Sequence, residues 1–135
     1  MVRRVYSVVV PFVFVMLIVA TPASAAARPQ AYQYLVNGSC DINLDRDGTF
    51  VLWGSTTASR PVDRISVVVT LEYWDGARWI ALTSRTLNAY NTRTVSGAWS
   101  VIASPGYWYR GFCEHSLYES GVSEYGTATT SPLRY

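Results

Sequence analysis

The chain contains no lysine: all 11 of its basic residues are arginine. It has a single histidine, two cysteines and two methionines in 135 residues. Each scarcity excludes something. One His and two Cys cannot supply the four protein ligands of a structural zinc site. No G-x-S-x-G elbow is present, so the usual hydrolase nucleophile turn is missing. No stretch beyond residue 25 carries helical periodicity, which argues against an amphipathic helix. Nothing calls for a metal or another cofactor. The missing lysine leaves arginine as the only cation, and guanidinium groups stack well on aromatic rings. Genome base composition accounts for the same bias and is the plainer explanation.

Long apolar runs are missing too, except at the start. Arg3 and Arg4 precede an uncharged run from Val8 to Ala20, and Ala23-Ser24-Ala25 follows Pro22. A positive start, an apolar stretch and a small-x-small tripeptide form a secretory signal peptide over residues 1–25. The run is about 13 residues, whereas a spanning helix needs about 20. An uncleaved anchor is the alternative. No cysteine stands near the cleavage point to take a lipid, and Arg3-Arg4 lacks the flanking pattern of twin-arginine export. The expected localisation is therefore extracellular, with no membrane contact after cleavage. Cleavage removes Arg3 and Arg4 and leaves nine arginines against nine acids. A neutral chain gives no electrostatic reason to bind nucleic acid.

Cys40 and Cys113 both lie in the exported part. One intramolecular disulfide is the default in an oxidising compartment. Two free buried thiols or an intermolecular bridge are the alternatives.

Residues 26–37 form an irregular lead-in, and residues 38–135 a single domain. Period-two alternation and closely spaced turn residues predict about seven strands. They cover 38–44, 49–57, 65–74, 79–87, 94–103, 107–117 and 122–130. Asp47-Gly48, Asp75-Gly76, Ser104-Pro105-Gly106 and Glu119 to Gly121 supply turns. Ser59-Arg60-Pro61 and Asn88 to Thr92 are expected to interrupt strands. Ile65, Val67, Val69, Leu71 and Tyr73 should face the core, with Ser66, Val68, Thr70, Glu72 and Trp74 on the other side. The pattern predicts an all-β, antiparallel β-sandwich of immunoglobulin or fibronectin type III kind. A small barrel is the alternative. Tyr109, or else Tyr107, is placed to act as the tyrosine corner of such sandwiches.

Five segments stand in order: Gly54 to Ala58, Leu71 to Trp79, Gly106 to Arg110, His115, and Glu119 to Gly121. Together they resemble a family of small secreted bacterial proteins, mostly Gram-positive, whose role is uncharacterised. The resemblance implies secretion and a small β domain, and it carries over no catalytic residue.

Three chemistries compete for the polar residues. Asn43, Asp45 and Asp47 before Gly48 are spaced like the first half of a calcium loop. Position twelve is Gly54 rather than Glu, so a hairpin turn is the better reading. Glu114, His115 and Ser116 suggest a hydrolase, but strand neighbours point to opposite faces. Glu72, Glu114, Glu119 and Glu124 are candidate acid–base carboxylates, yet no spacing singles out a pair. Aromatics are the stronger hint, with Trp53, Trp74, Trp79, Trp99 and Trp108 among many tyrosines. They serve either as core and cross-strand packing or as a contact platform. Trp74 and Trp108 lie on the phase opposite the core. The expected function is a non-catalytic extracellular interaction protein, with Trp74, Trp79, Trp108 and Tyr118 as contact residues. Its partner would be an extracellular protein or a cell-wall glycan. A carbohydrate-binding module, and then a secreted enzyme or enzyme inhibitor, are the alternatives.

Overall fold

A computed structural model describes residues 31–135. The signal peptide and residues 26–30 of the lead-in lie outside them. Six strands form one antiparallel sheet: β1 (Leu35–Leu44), β2 (Thr49–Trp74), β3 (Trp79–Ile102), β4 (Trp108–Glu119), β5 (Val122–Thr129) and β6 (Leu133–Arg134). The expected all-β antiparallel class is observed. The strand count differs, because β2 and β3 each absorb two expected strands.

The fusion has a physical cause. Pairing of β2 with β3 jumps from Thr57↔Thr94 to Val62↔Thr92, so four residues of β2 bulge against one of β3. Ser59-Arg60-Pro61 falls inside this bulge, where the missing Pro61 N–H costs no ladder bond. Asn91 takes a left-handed φ of 51°, which asparagine tolerates, and 88–92 stays in the strand instead of looping out. The outer side of the bend is clamped by Glu119. Its carboxylate accepts from Arg60 Nη2 and from the Asp63 N–H, both at 2.9 Å. Asp63 in turn accepts the Ser120 N–H at 3.0 Å.

Because two long strands bend at one place, the sheet folds over on itself into two leaves. One leaf holds β1, the first half of β2 and the second half of β3. The other holds the first half of β3, the second half of β2, and β4 and β5. Cys40 of β1 is bridged to Cys113 of β4, strands that do not pair with each other. The bridge therefore staples leaf to leaf. It closes 73 residues, a constraint worth about 4 kcal/mol on the chain-entropy model.

The core lies between the leaves. Phe50 and Leu52 of one leaf meet Ile65, Val67, Val69 and Leu71 of the other, all essentially buried. The expected phase of the clearest strand is thus correct, with Tyr73 packed at its margin. Phe50 stacks on Tyr109 with ring centroids 4.7 Å apart. The Tyr109 hydroxyl donates to the Ser104 carbonyl at 2.6 Å. Gly54 admits the close approach of the leaves: a Cβ there would press into the Val67 and Val69 methyls.

The chain becomes ordered strand earlier than expected. β1 begins at Leu35, not Gly38. The Glu124 carboxylate gathers the backbone N–H groups of Gln33, Tyr34 and Leu35, the last at 2.6 Å. This ties residues 33–35 to β5.

Leu71 is fully buried, so Leu71→Ala should cost about 2–5 kcal/mol in chemical denaturation. A loss below about 0.5 kcal/mol would mean that this strand presents its other face to the core.

Candidate functional site

The turns at Asp45–Gly48, Asp75–Arg78 and 103–107 leave one end of the domain crowded with aromatic rings. The Asp75 turn is set by its own side chain, whose carboxylate accepts the Ala77 and Arg78 N–H groups at 2.8 Å each. Those bonds hold the Asp75 carboxyl below its usual range. Gly76 takes a φ of 103°, which closes the turn. Trp74 and Trp79 then face each other across the hairpin as a register pair. Their ring centroids lie 5.4 Å apart at an angle of 58°.

Trp108 opens β4 beside them. Trp74, Trp79, Trp108 and Pro132 line an open groove of about 410 Å³. Three of the four expected contact residues are therefore brought together from three strands. Their rings are held from the flanks. The Arg110 guanidinium stacks 4.4 Å from the Trp79 ring centre, and its Nε bonds Glu72 at 2.6 Å. Arg134, opposite Trp108 on β6, sits 6.0 Å from that ring. Trp108 is 46% exposed, while Trp74 and Trp79 are half-buried.

Tyr118 is not part of this groove. It lies at the far end of β4, opposite Arg64, and lines a separate hollow with Asp63 and Tyr90. Its ring is 41% exposed. Trp53 is exposed on the outer side of the other leaf, and Trp99 is packed at the core margin.

A second cleft was not legible beforehand. Tyr73, Tyr107 and Tyr109, with Leu82 and Ile102, border a volume of about 470 Å³ between the leaves. Tyr73 and Tyr107 meet edge to face at 5.5 Å. Leu82 reaches it because a register shift beside Leu71 adds one residue to β3. Strict alternation cannot anticipate such a shift.

The other candidate chemistries are placed as follows. Asn43 donates to Asp45 at 3.1 Å, and Asp47 accepts the Thr49 N–H at 3.0 Å, as in a side-chain-supported hairpin. His115 faces the core and Ser116 the opposite side, so they do not meet. The four glutamates each hold a structural partner: Glu72 with Arg110, Glu114 with the Tyr125 hydroxyl, Glu119 at the bend, and Glu124 at residues 33–35.

His115 is 2% exposed. The Thr56 hydroxyl donates to the Ser66 carbonyl at 3.0 Å, so its oxygen accepts from His115 Nδ1 at 2.8 Å. The ring is then neutral with its proton on Nδ1, and burial lowers its pKa below 6.5. The bond also joins the two leaves, because Thr56 and His115 stand on opposite sides of the core.

Comparison with known proteins finds no match to a family model, a curated protein or a solved structure.

His115 is the only histidine, so the sign of its pH effect is open to direct measurement. The folded state keeps it neutral, whereas the unfolded chain protonates it near pH 6.5. Stability should be full above that pH and decline as pH falls below it. Denaturation between pH 7.5 and 5 should show this decline. A stability that rises over that range would mean that the folded state favours the charged ring.

Proposed function

We propose that this chain is a secreted, non-catalytic binding domain that acts outside the cell through the Trp74, Trp79 and Trp108 cluster. On this reading it belongs with the small secreted bacterial proteins that its motifs resemble. The observation that carries the proposal is the gathering of three indoles from β2, β3 and β4 into one open groove. A contiguous exposed cluster of large aromatics favours association with a partner. The flanking Arg110 and Arg134 add cation–π contacts that hold the rings at the surface.

The disulfide is compatible with an oxidising compartment, as expected of an exported protein. Among the described residues, no helix is long and apolar enough to cross a membrane. The Tyr109 bond to Ser104 and the two facing leaves support an immunoglobulin-type sandwich as the finer description.

The test is retention of the mature domain on bacterial cell-envelope fractions and on immobilised extracellular proteins. Trp74→Ala with Trp108→Ala should lower retention at least tenfold while leaving the melting temperature nearly unchanged. Equal retention of the double variant would remove the cluster from the contact surface.

A further inference from the structure

The tryptophan groove is one end of a longer surface. The outer face of the larger leaf continues from it along β3, β2, β4 and β5. Behind the tryptophans come Glu72 and Arg110, then Thr70 between Ser84 and Phe112, Val68 between Thr86 and Glu114, and Ser66 between Asn88 and Ser116. Arg64, Tyr90 and Tyr118 close the far end. Trp108 and Tyr118 are ten residues apart on one strand, about 33 Å at about 3.3 Å per residue.

The face is lowest along β2. Ser66 and Thr70 are buried, although they point away from the core. Ser84, Thr86 and Asn88 on one side and Tyr125 and Thr127 on the other are exposed. Thr70 bonds Ser84 at 2.9 Å, and Ser66 bonds Asn88. These side chains are thus held in place, and their hydroxyl and amide groups retain hydrogen-bonding capacity.

We infer that this face binds an uncharged polysaccharide, laid along β2 and β4 from the tryptophan groove to Tyr90 and Tyr118. The inference rests on the reading of the tryptophan cluster as a contact surface and names its ligand. Three features select this class. Sugar rings present an apolar C–H face that stacks on indole and phenol rings, and such rings stand at both ends. Sugar hydroxyls need neutral donors and acceptors, and around Val68 and Phe112 the middle of the face supplies Ser, Thr and Asn. The charges on the face cancel: Glu72 is paired with Arg110, Glu114 and Arg64 offset one another, and Arg134 beside Trp108 is matched by Asp63 in the hollow at the Tyr118 end. A neutral face complements a neutral chain and gives an anionic one no net attraction.

Affinity electrophoresis of the mature protein in gels containing hydroxyethylcellulose, galactomannan or a soluble β-1,3-glucan tests this, with polygalacturonate and hyaluronan as anionic controls. The expected result is retardation by at least one uncharged polysaccharide. Trp108→Ala should weaken binding more than tenfold, and Tyr118→Ala about three- to tenfold, with unchanged melting temperatures. Binding that Trp108→Ala destroys and Tyr118→Ala leaves intact would overturn the extended path while keeping the tryptophan contact. Envelope retention that depends on the tryptophans, without binding to any uncharged polysaccharide, would overturn the glycan inference and leave the proposed function standing. Binding to the anionic polymers alone would also overturn the inference. Loss of both envelope retention and polysaccharide binding in the wild-type protein would sink the two together.

Discussion

The bend in β2 between Thr57 and Val62 is the constraint from which the rest of the structure follows. A single 26-residue strand cannot pack against itself unless it folds, and this one folds where its ladder with β3 is interrupted. Once it does, Phe50 and Leu52 come to lie over Val69 and Leu71, and apolar burial becomes possible within one continuous sheet. The remaining devices hold that closure. Cys40 and Cys113 fasten β1 across to β4, Thr56 and His115 join the leaves through a buried hydrogen bond, and Glu119 clamps the outside of the bend.

The same closure decides which residues are free for function. Folding one leaf over the other consumes one side of each, so each leaf keeps one outer side. On the larger leaf that side collects Trp74, Trp79 and Trp108 at its turn end and Tyr90 and Tyr118 at the other. The two cations nearest the indoles are arginines, and their planar groups stack where a lysine ammonium would stay hydrated. In a chain without lysine, every cation near a ring can serve in this way.

Much of the core was legible because alternation is a local signal. Ile65, Val67, Val69 and Leu71 could be assigned to one face from their spacing alone, and the turns at Gly48, Gly76, Gly106 and Gly121 from their residue types. Trp74 and Trp79 could be paired because Asp75-Gly76 is a short hairpin turn. What could not be read were events that break alternation. The bulge at 58–61 looks like a strand end because proline and arginine interrupt the pattern, yet the chain continues extended. The extra residue at Leu82 moves a side chain into the tyrosine cleft without any compositional mark. Spacing gave Glu119 and Glu124 no distinct role, because their roles as acceptors depend on segments distant in sequence. Tyr118 was grouped with the tryptophans by residue type, which says nothing of its separation along β4.

Contact between the two leaves is therefore the feature to measure. In a nuclear Overhauser spectrum of residues 26–135 with the disulfide formed, the Thr56 methyl group should show cross-peaks to the His115 ring, and the Gly54 Hα protons to the Val69 methyls. Well-dispersed strand resonances with neither set of cross-peaks would mean that the sheet stays open, and the account of core and outer face would be wrong.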